Sequence, residues 1–83
     1  MEYKKYVRVR AEFDGEGNIR PTHIVWDDAR VFEIDRILDI RRCASLKAGG
    51  MGLRYTVRIE GREKYLFYEN PRWFVEARQT AHG

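Results

Sequence analysis

Apolar and polar residues alternate along most of the chain, which is the pattern of β-strands with one buried face. The alternation is clearest over residues 53–60, where every second residue is apolar: Leu53, Tyr55, Val57 and Ile59. Residues 3–13 show the same pattern, and further strands are predicted over 19–26, 63–69 and 73–76. No segment has the 3.6-residue apolar spacing of a helix over three turns. The chain is therefore predicted to be all-β.

The longest strand candidate, residues 30–40, loses its alternation in the middle. Phe32 and Ile34 are in phase, but three later apolar residues cannot all share one face: Ile37, Leu38 and Ile40. An extra residue near positions 35–36 would bend the strand and let it pair in two sheets, which is how small barrels close. Turn signals separate the strands every 8–12 residues. We therefore expect a small antiparallel, partly open SH3-like barrel of five to six strands.

The length fits one domain, over residues 1–77, followed by a disordered polar tail over 78–83. Residues 41–52 are rich in glycine and are expected to form the one long connection. The largest apolar side chains of the predicted strands should form the core, and they are Trp26, Phe32, Ile34, Tyr55, Val57, Leu66 and Trp73.

Several short runs carry a resemblance to a known family: GNIRP (17–21), IVW (24–26), VFEID (31–35), GLRYTV (52–57), LFYE (66–69) and WFV (73–75). In these runs the chain resembles a family of short uncharacterised bacterial proteins, a domain of unknown function with a small SH3-like barrel. The similarity covers most of residues 3–77 and consists of turn, core and aromatic positions. Relatives are often encoded near translesion polymerase genes, so the resemblance implies a protein partner in DNA metabolism. It implies no functional residues.

The charge of the chain is basic, with 16 Lys and Arg against 13 Asp and Glu, a net charge of +3 and a pI near 9.2. Twelve of the sixteen cations are arginines, which favour bidentate and stacking contacts over diffuse attraction. A basic pI is typical of nucleic-acid-binding domains. The alternative interpretation is that the arginines lie on outer strand faces opposite Glu and Asp.

Basic residues also interleave with aromatic ones, as in proteins that bind single strands by stacking. Tyr3 and Tyr6 flank Lys4 and Lys5, and residues 65–67 carry two rings on one face. A rim of cations around the glycine-rich connection could also bind phosphate. We predict a non-catalytic module that binds DNA or RNA through Arg8, Arg10, Arg41, Arg42, Lys47, Arg54 and Arg58. The alternative is a protein-interaction module that uses a sheet edge or an apolar patch near Trp73 and Phe74.

Other chemistry finds little support in the sequence. Cys43 is the one cysteine, and it could approach His23, but no third orienting group or oxyanion donor accompanies them in a recognisable pattern. Asp35 and Asp39 are too far apart along a strand for a carboxylate pair. We expect no enzyme, no catalytic or metal-binding residue and no cofactor. No apolar run approaches the roughly 18–20 residues of a membrane span, and the predicted location is the cytoplasm.

Overall fold

The computed structural model describes residues 2–44 and 51–78, which contain seven antiparallel strands and no helix. The strands lie side by side in the order β3-β2-β1-β7-β6-β5-β4 and form an open barrel. The predicted all-β, barrel-like class is confirmed, with seven strands instead of five or six. The strands are β1 (Glu2–Phe13), β2 (Ile19–Val25), β3 (Val31–Glu33), β4 (Arg36–Ala44), β5 (Met51–Ile59), β6 (Arg62–Glu69) and β7 (Arg72–Arg78).

Two residues between β3 and β4 connect opposite sides of the sheet. The backbone N–H of Ile34 donates to the carbonyl of Thr22 in β2 at 2.9 Å, and that of Asp35 donates to the carbonyl of Arg58 in β5 at 2.8 Å. Because β2 and β5 lie near opposite ends of the strand order, this bend curls the sheet toward itself. The bend lies where the sequence predicted one. The extra residue, however, is Leu38 inside β4, where the register with β5 shifts.

The core lies inside the curved sheet, around residues contributed by four strands. Its buried members are Ile24, Tyr55, Val57, Leu66 and Trp73. The rings of Tyr55 and Trp73 are 5.4 Å apart, and the Tyr55 hydroxyl donates to the carbonyl of Ile19 at 2.6 Å. The hydroxyl of this buried side chain is therefore satisfied.

Four of the seven predicted core residues are buried, namely Tyr55, Val57, Leu66 and Trp73. Trp26 and Ile34 are half-buried and pack against this core, whereas Phe32 is half-buried at its margin. The sequence did not single out Ile24, which is opposite Val9 in β1 and Phe32 in β3 and is only 5% exposed. Ile24 is covered because its side chain lies on the inner face and packs into the core cluster.

The predicted long connection over 41–52 is wrong in its extent. Strand β4 continues through Ala44, and β5 already begins at Met51, with Cys43 opposite Gly52. Residues 45–50 lie outside the described part of the chain. Arg41 and Arg42 are therefore strand residues, with positions fixed by the pairing of β4 with β5. At the other end, β7 includes Arg78, and the rest of the predicted tail lies outside the described residues.

Candidate functional site

The alternation of side chains gives the sheet an inner face, which carries the core, and an outer face. On the outer face the strand register places five residues side by side across five strands. Tyr6 in β1 is opposite Phe74 in β7, and Phe74 is opposite Phe67 in β6. Phe67 is in turn opposite Arg54 in β5, and Arg54 is opposite Arg41 in β4. We call this set of five residues the outer row.

Four aromatic side chains on the outer face contact one another, and we call them the aromatic strip: Tyr6, Phe74, Phe67 and Tyr65. Phe67 and Phe74 are stacked, with ring centroids 4.8 Å apart and planes 4° from parallel. Tyr6 meets Phe74 edge-on at 5.8 Å, and Tyr65 meets Phe67 edge-on at 6.5 Å. Phe74 is only 8% exposed, while Tyr6 and Tyr65 are 43% and 50% exposed. A stacked pair of one buried and one half-buried ring thus supports an accessible tyrosine at each end.

Three cations lie over the rings of this strip. The Nζ atom of Lys4 is 4.5 Å from the centroid of Phe74, and the Cζ atoms of Arg72 and Arg54 are 4.3 and 4.6 Å from Tyr6 and Tyr65. Cation–π contacts of this kind are worth about 0.5–1 kcal/mol at exposed sites. Lys4 also forms an ion pair with Glu69, at 3.2 Å. The Nε atom of Arg54 is enclosed without a hydrogen-bond partner, so a ring and not a carboxylate holds this guanidinium.

The hairpin of β4 and β5 has a strong excess of positive charge. Its described strands contain five arginines and one acidic residue, Asp39, a net charge of +4 against +3 for the entire chain. Arg41 lies directly opposite Arg54, and Arg36 lies directly opposite Arg58. Like charges in directly opposite positions destabilise a sheet. Asp39 offsets part of the charge, because its carboxylate is 2.8 Å from the Nε atom of Arg41.

Elsewhere on the outer face cations and carboxylates are mixed. The register places a carboxylate beside a cation in two cross-strand pairs there, Lys4 with Glu76 and Arg72 with Glu69, and Glu63 of β6 lies opposite Arg58 at the border of the hairpin. These carboxylates offset part of the charge of the cations opposite them. The excess of positive charge is therefore a property of the hairpin and not of the outer face as a whole.

Five of the seven predicted binding residues share the outer face: Arg8, Arg10, Arg41, Arg54 and Arg58. They form two groups, because β7 and β6 separate β1 from β5 by three strand spacings, roughly 14 Å. Arg42 is on the inner face, opposite Leu53, and Lys47 lies outside the described residues.

Sequence reasoning did not select Arg36, Arg72 or Phe74 as outer-face residues. The signal for Phe74 was present, since it is out of phase with the core residue Trp73. Tyr3, which was grouped with Tyr6 by its position in the sequence, lies on the inner face opposite Ala77. Adjacent residues of a strand point to opposite faces, so proximity in the sequence grouped two side chains that the fold separates.

The sheet divides between β6 and β7. The two strands pair only at residues 67–69 and 72–74, after which β6 pairs with β5 alone and β7 with β1 alone. A cleft of about 980 Å³ lies along this division, with an apolar lining that includes Ile24, Trp26, Phe32 and Val75. Its charged rim carries both signs, from Arg30, Glu60, Arg62, Glu63, Lys64 and Glu76.

The described residues contain no cluster of three metal-ligating side chains and no helix long and apolar enough to span a membrane. Cys43 is half-buried at the end of β4. His23 lies in β2, where its Nδ1 atom is 2.9 Å from the hydroxyl of Thr22 and its Nε2 atom is 4.0 Å from Glu33. The polar neighbours of His23 among the described residues are therefore Thr22 and Glu33, and Cys43 is not one of them.

Comparisons with protein families, curated proteins and solved structures found no match to this chain. The resemblance to short bacterial proteins therefore rests on the sequence runs alone and stays a prediction.

Proposed function

We propose that this protein is a non-catalytic module that binds nucleic acid through the outer face of its sheet. The observation that carries the proposal is the register of β4 with β5, which places Arg41 directly opposite Arg54 and Arg36 directly opposite Arg58. Like-charge pairs in directly opposite positions destabilise the sheet. A phosphate group that contacts both guanidiniums offsets this repulsion, because it forms a charge-assisted hydrogen bond with each of them. Arginine suits this ligand because its planar fork donates two hydrogen bonds to phosphate oxygens.

The rest of the outer face supports the same ligand. The aromatic strip lies directly beside the hairpin, since Arg54 is followed in the outer row by Phe67 and Phe74. Arg8 and Arg10 lie beyond the strip on β1, so cations border it on both sides. Phosphates at the borders and bases over the rings match the chemistry of DNA and RNA alike.

The test of this proposal is the salt dependence of binding to a fluorescently labelled oligonucleotide. Each arginine that contacts a phosphate adds close to one unit to the slope of log K against log salt. Arg41→Gln and Arg58→Gln should each weaken binding and reduce that slope. Arg62→Gln, at the inner-face end of β6, removes the same charge and should change neither. Equal effects of all three substitutions would show that only net charge matters and would contradict a defined face.

The division between β6 and β7 favours a second candidate function, the binding of a protein segment. Each facing edge there lacks a strand partner among the described residues, over 62–66 in β6 and 75–78 in β7. Unpaired edges bind extended peptides by main-chain hydrogen bonds, and the apolar floor of the cleft offers places for side chains. Binding of this kind should depend weakly on salt and should survive Arg41→Gln, which distinguishes it from the first proposal.

A further inference from the structure

We infer that the ligand of the outer face is a single strand whose bases stack on Tyr65 and Tyr6. The inference rests on the proposed function and specifies which form of nucleic acid the face accepts. Its basis is the unequal exposure of the four rings in the aromatic strip.

The two tyrosines are the accessible rings of the strip. Tyr65 is 50% exposed and Tyr6 is 43% exposed, although each belongs to a cluster whose centre, Phe74, is 8% exposed. The stacked pair of Phe67 and Phe74 lies between them and contacts both, so it fixes the positions of both tyrosines. Rigid exposed rings bind bases at little cost in side-chain entropy, because the protein has already ordered them.

Stacking requires a base with a free face. In a duplex both faces of each base are covered by neighbouring pairs, so rings on the face of a sheet cannot reach them without unstacking, which costs a few kcal/mol per base. A single strand presents unstacked bases at no such cost. The aromatic strip therefore contributes to binding a single strand and contributes nothing to binding a duplex.

Two arginines complete the arrangement. Arg54 lies over Tyr65 and Arg72 lies over Tyr6, each within 4.6 Å of the ring centroid. Neither guanidinium forms an ion pair within residues 2–44 and 51–78. Each can therefore donate its terminal N–H groups to a phosphate while a base occupies the ring beside it. The phosphates and the bases of one strand then have separate partners on this face.

The experiment compares an oligothymidine of about ten nucleotides with a DNA hairpin duplex of similar length, by fluorescence anisotropy at low salt. The wild-type protein should bind the single strand at least about fivefold more tightly. Tyr65→Ala and Tyr6→Ala should each weaken single-strand binding by about 5- to 150-fold, which corresponds to the usual worth of one stacked base. Neither substitution should alter duplex binding.

Two further variants separate stacking from folding. Tyr65→Trp keeps a flat ring and should retain binding of the single strand. Tyr3→Ala removes a tyrosine that is 48% exposed but lies on the inner face, and it should leave binding unchanged. Equal affinity for both oligonucleotides, with no effect of the Tyr65 and Tyr6 substitutions, would overturn this inference and leave the proposed function intact. If the wild-type protein binds neither oligonucleotide, the proposed function fails as well.

Discussion

Arg41 and Arg54 lie directly opposite each other in β4 and β5, so two guanidinium groups occupy adjacent positions of the outer row. Arg54 is further held against the ring of Tyr65, with no carboxylate partner in the described part of the chain. The same sheet places carboxylates opposite cations in other pairs, such as Lys4 with Glu76. The hairpin therefore keeps arginines in directly opposite positions, an electrostatic conflict that the other described cross-strand pairs do not show. Such repulsion between cations is expected of a surface that binds an anion.

Relieving one like-charge pair should stabilise the protein and weaken its binding. Arg36→Glu places a carboxylate opposite Arg58, and the free energy of unfolding should rise by about 0.2–1 kcal/mol. Urea denaturation at low salt measures the gain, which should shrink as salt is added. Arg36→Lys keeps the charge and serves as the control, with no gain expected. Loss of stability in Arg36→Glu would contradict the assigned conflict between Arg36 and Arg58.

Truncation of Leu66 should be among the most destabilising substitutions in this protein. It is fully buried, at 0% exposure, in the middle of β6. Leu66→Ala should lower the free energy of unfolding by about 2–5 kcal/mol, because it removes buried methyl groups and leaves a cavity. Leu38→Ala, at the 37% exposed bulge of β4, should cost far less in the same urea titration. Equal losses would contradict the placement of the core.

The buried hydroxyl of Tyr55 should make stability depend on alkaline pH. Burial, with a smaller contribution from Tyr68, raises the pKa of Tyr55 above its usual 10.0. The neutral phenol is thus favoured in the folded state, and its stabilising effect is present below pH 10 and lost as the pH rises through the folded-state pKa. Tyr55→Phe should cost about 0.5–1.5 kcal/mol at neutral pH, since the carbonyl of Ile19 loses its donor. The difference in the free energy of unfolding between wild type and Tyr55→Phe should become smaller above about pH 10 and should not become larger.

The turn between β1 and β2 should make the stability of the protein depend on acidic pH. The carboxylate of Asp14 accepts hydrogen bonds from the backbone N–H groups of Glu16 and Asn18, at 2.8 and 2.9 Å. These bonds, first of all that from Asn18, hold the pKa of Asp14 below its usual 3.8. Their contribution is present above pH 3.8 and is lost as the pH falls through the lower folded-state pKa. Asp14→Asn keeps an acceptor oxygen but does not titrate. Thermal unfolding between pH 6 and pH 2 should therefore show a smaller loss of stability in the variant than in wild type.

The sequence predicted the strands well where one face is buried and the other is exposed. Tyr55 and Val57 alternate with polar residues, and both are in the core. It also predicted a bend near residue 35, because a period of two cannot place Ile37, Leu38 and Ile40 on one side. The end of β4 was predicted less well, since Arg41 and Arg42 are poor signals for a strand. Their strand conformation comes from pairing with β5, a contact that no local pattern reports.

The candidate site could be predicted only in part for a similar reason. Alternation shows that Arg8 and Arg54 each lie on the polar face of a strand, but it gives no strand order. The order places β7 and β6 between them, and with these strands come the rings of Phe74 and Phe67. The outer row exists only through pairings between strands that are distant in the sequence.

The central claim is that the outer row binds nucleic acid, and a titration of isotope-labelled protein with a short single-stranded DNA at two salt concentrations tests it most directly. At low salt, amide shifts should appear at the outer row and along β4 and β5, including Arg54, Phe67 and Phe74. They should diminish at the higher salt concentration, because the arginines release the counterions of the bound phosphates. The amides of residues 26–33, which contribute no residue to the outer row, should not shift. An absence of shifts at low salt with millimolar DNA would contradict the claim.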